Sequence, residues 1–360
     1  MSKSVLITGL NGQLGQHLVK FFQENYPEFK IIGTIRQKSY DNQPKIFDES
    51  KITKETLDLA DSASIETIVA KYKPDYIFNT AALAHVGESW HAPLAYAQFD
   101  GVAVVHFLEA IRKHSPHSRF LNLGTSEEMG CTLEDSPNGS QDENTRLIPK
   151  SPYACAKLYA RTMVDVYRNS YNLYAIQPWT FNFESKLRGE KYVTRKITKG
   201  VGRIYRAIKN HDWNFKPIEL GNLNSYRSWQ HAADVAEGLW LIANQPGEPK
   251  DWKPYVLSEN GTHTIREFVE KAFAAVDIKG QWYNPTGNPL DEEYILCGDN
   301  GLAAKKKITL VKVNPEFFRP SDVSYLYGDS SKIRKELGWK PKFSFDDLLK
   351  EMVDWDVNNP

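Results

Sequence analysis

Along the first half of the chain, short apolar runs alternate with longer stretches whose apolar residues recur at helical spacing. Ser4-Val5-Leu6-Ile7, Lys30-Ile31-Ile32-Gly33-Thr34-Ile35, Thr56-Leu57-Asp58-Leu59, Lys73 to Ala82, Phe120-Leu121-Asn122-Leu123 and Leu173-Tyr174-Ala175-Ile176 read as strands or strand ends. Leu14, Leu18, Phe21 and Phe22 mark the first helix, and Val102 to Ile111 marks another. Strands and helices alternating over short links predict an α/β fold built on a doubly wound, parallel, Rossmann-type sheet. Ligands of such sheets bind beyond the carboxyl ends of the strands.

The rhythm changes near Asn182. A basic helix opens at Lys191-Tyr192-Val193-Thr194-Arg195-Lys196, and a short strand and turn follow at Glu219-Leu220-Gly221-Asn222-Leu223. Further helices are expected over Asp234 to Ala243, Thr264 to Val276 and Ser344 to Trp355. Residues 1–181 are thus expected to form the larger domain, with a return segment near 224–246. Residues 182–360 mainly form a smaller mixed α/β substrate-binding lobe, interleaved with the first. Thr132 to Lys150, rich in Asp, Glu, Asn, Ser, Gly and Pro, is expected to be an exposed loop and a candidate cover for the site.

Composition narrows the partners. The 360 residues carry 45 Lys and Arg against 45 Asp and Glu, a balance that favours a small ligand over nucleic acid or an anionic membrane. No apolar run reads as long enough to span a membrane, and the N-terminus lacks the pattern of a signal peptide. Cys131, Cys155 and Cys297 match neither a disulfide framework nor a zinc site, so a reducing cytoplasm and no metal are expected.

Thr8-Gly9-Leu10-Asn11-Gly12-Gln13-Leu14-Gly15 lies between the first strand and the first helix. Glycines three apart permit a tight turn and close approach to a pyrophosphate, and the free N–H groups of the helix start favour an anion. Strand two ends at Arg36, where a carboxylate would hold the ribose hydroxyls of NAD; a cation there suits a 2′-phosphate, so NADP is expected. Asp58, with Leu59 beside it, is placed near the adenine, with helix capping as the alternative for Asp58. Ala81-Ala82 would let the cofactor lie close to strand four.

Tyr-x-x-x-Lys occurs at Tyr26/Lys30, Tyr153/Lys157, Tyr192/Lys196 and Tyr205/Lys209, so the spacing alone decides nothing. Only Tyr153/Lys157 opens a helix after strand five, where the ligand edge of the sheet would meet it. There Lys157 would bind the nicotinamide ribose and, with the charge of the oxidised ring, lower the Tyr153 phenol so that it accepts an alcohol proton. Thr125 could bridge to the same oxygen. Glu127 adds what alcohol oxidation does not need: once a ketone forms at a sugar C4, a carboxylate can remove the C5 proton and protonate the departing C6 hydroxyl. Glu128 is expected to point elsewhere.

Thr125-Ser126-Glu127, Ser151-Pro152-Tyr153 through Lys157-Leu158-Tyr159-Ala160, Phe181-Asn182 with Glu184-Ser185, Arg188-Gly189-Glu190, Val193 to Ile197, Leu220-Gly221-Asn222-Leu223 with Arg227, and Phe318-Arg319-Pro320 together carry a resemblance. The set resembles the extended short-chain dehydrogenase/reductase family, and within it the GDP-mannose 4,6-dehydratases. The resemblance implies that Thr125, Glu127, Tyr153 and Lys157 are catalytic, that the cofactor is NADP, and that a GDP pocket lies near Asn182, Val193, Lys196, Arg227 and Arg319. It further implies Ser89, Ser126, Arg188 and Asp322 as substrate contacts. A homo-oligomer is implied too: a tetramer sharing the loop Arg36 to Asn42, or a dimer, since that loop holds a single Arg.

Three positions depart from the family pattern. Glu128-Met129 replaces Leu-Tyr, Phe183 replaces a His, and Asp322 replaces a Glu. A flexible Met129 suggests room for a sugar longer than mannose, such as a GDP-manno-heptose. Two rivals stand beside the dehydratase. A nucleotide-sugar epimerase or C4 oxidoreductase would use Tyr153 and Lys157 without Glu127, and a non-catalytic sensor would bind the cofactor without turnover.

Overall fold

The computed structural model describes residues 2–36, 44–130, 139–297, 307–318 and 323–360. Six parallel strands form the central sheet: β1 (Ser4–Thr8), β2 (Lys30–Ile35), β3 (Ile52–Thr56), β4 (Tyr76–Asn79), β5 (Arg119–Asn122) and β6 (Ala175–Ile176), in the order β3-β2-β1-β4-β5-β6. Val5 sits opposite Ile31 on one side and Tyr76 on the other. The strands are apolar at successive positions because both faces are covered. Val5 and Ile7 enter a core with α1 (Gln13–Asn25) and the Ala232–Ala243 helix. Leu6 and Ile77 enter the opposite core with α2 (Ser62–Tyr72) and the helices Ala103–His114 and Pro152–Tyr171.

Two expectations change. Strand three stops at Thr56 rather than Leu59, because the Asp58 carboxylate accepts from the Ala60 N–H (2.9 Å) and turns the chain out of the ladder. Leu57 and Leu59 are core residues instead. The helical run Pro93–His114, at 22 residues, is long and apolar enough by composition to cross a membrane, contrary to the sequence expectation. Half of its apolar window is buried inside this fold, and its Ala103–His114 part packs against α2 and the Pro152–Tyr171 helix.

The second lobe has a four-stranded sheet, Gly280–Tyr283, Glu293–Leu296, Thr309–Val313 and Ile218–Leu220, of which the last pair is parallel. It shares a core with the helices Val193–Lys209, Ile265–Ala274 and Phe345–Asn358. Two short parallel pairs join the lobes at the ligand edge: Trp179–Thr180 with Val256–Leu257, and Asn182–Glu184 with Trp229–His231.

The chain then comes back to the first lobe twice. Val235, Leu239 and Ile242 of the Ala232–Ala243 helix pack on α1, and Ile333 and Trp339 join the same core. Trp339 is 1% exposed and its indole donates to the Asp234 carbonyl (2.9 Å), while the Asp234 carboxylate accepts from the N–H groups of Lys342 (2.9 Å) and Phe343 (3.2 Å). Removing the indole leaves a cavity beneath α1's partner helix, so Trp339→Ala is expected to cost about 3–5 kcal/mol in urea-unfolding measurements.

Candidate active site

The carboxyl ends of the strands carry a relay of buried polar side chains. Thr8 Oγ1 donates to Asn79 Oδ1 (2.7 Å), Asn79 Nδ2 to Asn122 Oδ1 (2.7 Å), and Asn122 Nδ2 to Gln177 Oε1 (2.6 Å). Four strands are thereby locked in relative height where the site begins. In front of them runs a cleft of about 830 Å³ that extends from the first glycine turn into the second lobe.

At one end, Asn11, Gly12, Gln13, Leu14 and Gly15 line the cleft. Gly9 has φ +72°, and a Cβ on Gly15 would lie 2.3 Å from the Gly9 carbonyl oxygen, so the turn closes only with glycine at both places. Gly12 caps α1 without a side chain to offer its first N–H groups, and Gly12 to Gly15 all line the cleft. The Gln13 side chain is committed elsewhere, donating to the Phe183 carbonyl (2.9 Å) and accepting from Ser185 Oγ (3.0 Å). Arg36 follows directly on β2 and is exposed. Ala82 lines the cleft, whereas Gly9 and Ala81 lie behind it, backbone against backbone. Asp58 and Leu59 do not line it: one makes the turn after β3, the other is in the core.

Midway, Thr125, Ser126, Glu127, Tyr153 and Lys157 converge on the cleft. Thr125 caps a single 3₁₀ turn, Ser126–Glu128, and Ser151 caps the Pro152–Tyr171 helix with Pro152 in its first turn. Thr125 and Tyr153 are joined by a side-chain hydrogen bond. Lys157 Nζ donates to the Leu123 carbonyl (3.0 Å) and stands 6.0 Å from the Tyr153 ring centroid. Burial pushes Tyr153 well above its ordinary value and the Asp100 carboxylate adds to that, against the opposing hydrogen bond from Thr125.

Two neighbours of Glu127 face away from the cleft. Glu128 is fully buried and paired with Arg161, so it is not part of a solvated acidic turn. Met129 is also fully buried, packed with Trp179, Phe181, Val256, Val323 and Leu326. It does not line the cleft, which removes the structural basis for linking it to a longer sugar.

In the second lobe, Asn182, Arg188, Val193, Lys196 and Arg227 line the cleft. Arg188 stacks over the Tyr192 ring (3.5 Å) and forms an ion pair with the buried Glu184 (3.0 Å), whose carboxyl burial raises and whose Arg188 and Thr194 neighbours lower. Lys196 lies 3.4 Å over the Phe317 ring, and burial lowers its ammonium. Asn182 Oδ1 is a buried acceptor without a hydrogen-bond partner among the described residues. Ser89 is fully buried with its hydroxyl donated to the Val86 carbonyl (2.6 Å), and it stays out of the cleft. Arg319 and Asp322, residues 37–42 of the loop after β2, Cys131 and residues 132–138 of the expected loop Thr132 to Lys150 lie outside the described residues.

A family model described as GDP-mannose 4,6 dehydratase matches residues 6–352 of the chain. The GDP-mannose 4,6 dehydratase of Drosophila melanogaster is 37% identical over 366 residues, covering 99% of this chain and 86% of that protein. Among solved structures, the dTDP-glucose 4,6-dehydratase of Bacillus anthracis in complex with NAD superposes with a TM-score of 0.75 at 18% identity, over 99% of this chain and 97% of that one. RMD of Pseudomonas aeruginosa, complexed with NADPH, gives 0.74 at 15% identity, over 99% and 100%. At identities this low, shared shape speaks for the fold.

The sequence reading missed Asp100, whose only signal was a lone acid beside an apolar helix. It is 1% exposed; one carboxylate oxygen accepts from the Leu83 N–H (2.9 Å) and the other has no partner among the described residues. Burial raises its carboxyl to about 6, with the Lys157 ammonium opposing. A raised folded-state value means that ionisation weakens the fold as pH climbs from about 4 through 6. Asp100→Asn, which keeps the acceptor for Leu83, is therefore expected to be more stable than the unaltered protein by about 2–3 kcal/mol at pH 8 and indistinguishable from it near pH 3.5, by urea unfolding across that range.

Proposed function

We infer that this chain, which belongs to the GDP-mannose 4,6-dehydratase family, is a hydro-lyase that converts GDP-mannose to its 4-keto-6-deoxy form. The observation that carries the reading is Glu127, a carboxylate in the same cleft as the Thr125–Tyr153 hydrogen bond and two residues from Thr125. In this reading residues 1–181, with the return near 224–246, hold the cofactor, and residues 182–360 mainly hold the nucleotide sugar.

The residues present fit a nicotinamide dinucleotide. A Cβ at Gly15 would meet the Gly9 carbonyl oxygen, Gly12 caps α1 without a side chain beside the cleft, and the buried Asn11 Nδ2 has no hydrogen-bond partner among the described residues. Asn11 to Gly15 would hold the pyrophosphate, Arg36 a 2′-phosphate, and Lys157 the nicotinamide ribose. A nicotinamide held there would supply reversible hydride transfer, from sugar C4 and back to C6, so no external reductant would be consumed. We assign NADP over NAD on the cation at the end of β2.

Tyr153, steered by Thr125, accepts the proton of the C4 hydroxyl. Its phenol is buried, so ionisation there calls for positive charge, which Lys157 together with an oxidised nicotinamide, when bound, would supply. The resulting ketone acidifies C5–H. Glu127 takes that proton as base and delivers it to the C6 hydroxyl, which leaves as water. Hydride return at C6 leaves C5 in need of a proton, which the Tyr153 phenol gives back, so one water departs and both Tyr153 and Glu127 end as they began. Across the cleft, Lys196, Arg188 and Arg227 offer cations to a diphosphate. An epimerase or C4 oxidoreductase would leave Glu127 without a task.

Self-association into a dimer or tetramer belongs to this reading, and the exposed apolar side chains Leu94, Tyr159 and Val166 support it. So does a cytoplasmic setting for a chain with free Cys155 and Cys297.

Glu127→Gln is expected to lower formation of the 4-keto-6-deoxy product from GDP-mannose at least about a hundredfold while leaving nucleotide-sugar binding within threefold. Full formation of the 6-deoxy product by this variant would mean that Glu127 is not the base of the elimination. The same assay should show GDP-mannose turned over in preference to a GDP-manno-heptose. Arg36→Glu is expected to weaken NADPH binding by about ten- to a hundredfold in fluorescence titration and to leave NADH binding nearly unchanged.

A further inference from the structure

Glu128 is a charge from which water is wholly excluded, and neither it nor Arg161 lines the cleft. Such a carboxylate must be answered by donors of the protein. Its Oε1 accepts from the Thr125 N–H (2.9 Å) and from Gln177 Nε2 (3.0 Å), and its Oε2 accepts from Arg161 Nε. Arg161 also donates Nη1 to the Gln177 carbonyl (2.5 Å) and lies 3.6 Å over the Trp179 ring. Gln177 Nε2 reaches the Lys157 carbonyl (2.9 Å), and its Oε1 receives the relay from Asn122.

These contacts join the parts that must act together. Tyr153, Lys157 and Arg161 are spaced four apart and share one face of their helix. Thr125 and Glu127 sit on a turn whose first N–H is held by Glu128. The ion pair therefore ties the turn bearing Glu127 to the helix bearing Tyr153, and Gln177 ties both to the end of β6.

We propose that Glu128 and Arg161 are a positioning pair, which fixes the carboxylate of the elimination step at its working distance from the phenol of the oxidation step. The proposal rests on the dehydratase reading, since it gives the pair its task. The pair acts through Thr125 and Lys157 and touches neither substrate nor cofactor.

Removing one partner strands a buried charge, so single variants confound folding with function. Two double variants separate them. E128L/R161L replaces the pair by apolar side chains, an exchange that often preserves stability but abolishes the tether. E128Q/R161Q is equally uncharged yet keeps an amide oxygen for the Thr125 N–H. For E128L/R161L the expected result is a melting temperature near that of the unaltered protein, kcat lower by about ten- to a hundredfold, and KM for GDP-mannose and NADPH affinity within threefold. E128Q/R161Q should recover most of kcat. The proposal is overturned if E128L/R161L keeps full kcat, or if kcat in both doubles falls only in step with the folded fraction. An unaltered protein that makes no 4-keto product would instead overturn the dehydratase reading, and that control is run first.

Discussion

A carboxylate sealed from water beneath the cleft sets the terms for everything above it. Glu128 receives donors from the turn after β5, from the Pro152–Tyr171 helix and from the segment after β6, three stretches far apart in the chain. The relay from Thr8 through Asn79 and Asn122 reaches the same cluster from the other side. Buried hydrogen bonds are costly to leave unmade, so each member constrains the next. The consequence is a ledge of fixed height at the carboxyl edge of the sheet, on which Thr125, Glu127, Tyr153 and Lys157 stand together.

Much of this was legible in the sequence because parallel strands covered on both faces must be apolar at consecutive positions, and β1, β2 and β4 are. The location of the site followed from the same topology, which is why one Tyr-x-x-x-Lys pair could be chosen from four. What escaped was side-chain direction within tight turns. Glu128 points away from the cleft as expected, but in a single 3₁₀ turn no periodicity tells that Met129 turns into the core, and the partner that holds Glu128, Arg161, is 33 residues away from it. Asp100 escaped for a related reason: its neighbours, Leu83 after β4 and Tyr153 and Lys157 on the Pro152–Tyr171 helix, lie outside its own element. Asp58, Leu59 and Ser89 show the converse, polar or apolar residues near the right strand end whose local bonds and packing keep them out of the cleft.

The fold by itself does not select the chemistry. Dehydratase and NADPH-complexed structures share this shape at under one-fifth sequence identity. In the proposed reading, selection rests on one carboxylate, Glu127, in the same cleft as Tyr153 and Lys157. In the second lobe, cations already engaged with Glu184, Tyr192 and Phe317 wait on the far wall. Their present partners keep these side chains ordered, which reduces the conformational entropy a diphosphate would have to remove.

The way the chain's last third closes over α1 has a consequence for how the molecule comes into being. The apolar face formed by Val5, Ile7, Leu18 and Phe22 is complete only when Val235, Leu239, Ile333 and Trp339 have arrived. During synthesis the amino-terminal half emerges with that face uncovered, and it stays so until almost the whole polypeptide has left the ribosome. The core of the first lobe is thus completed only by residues from far along the chain.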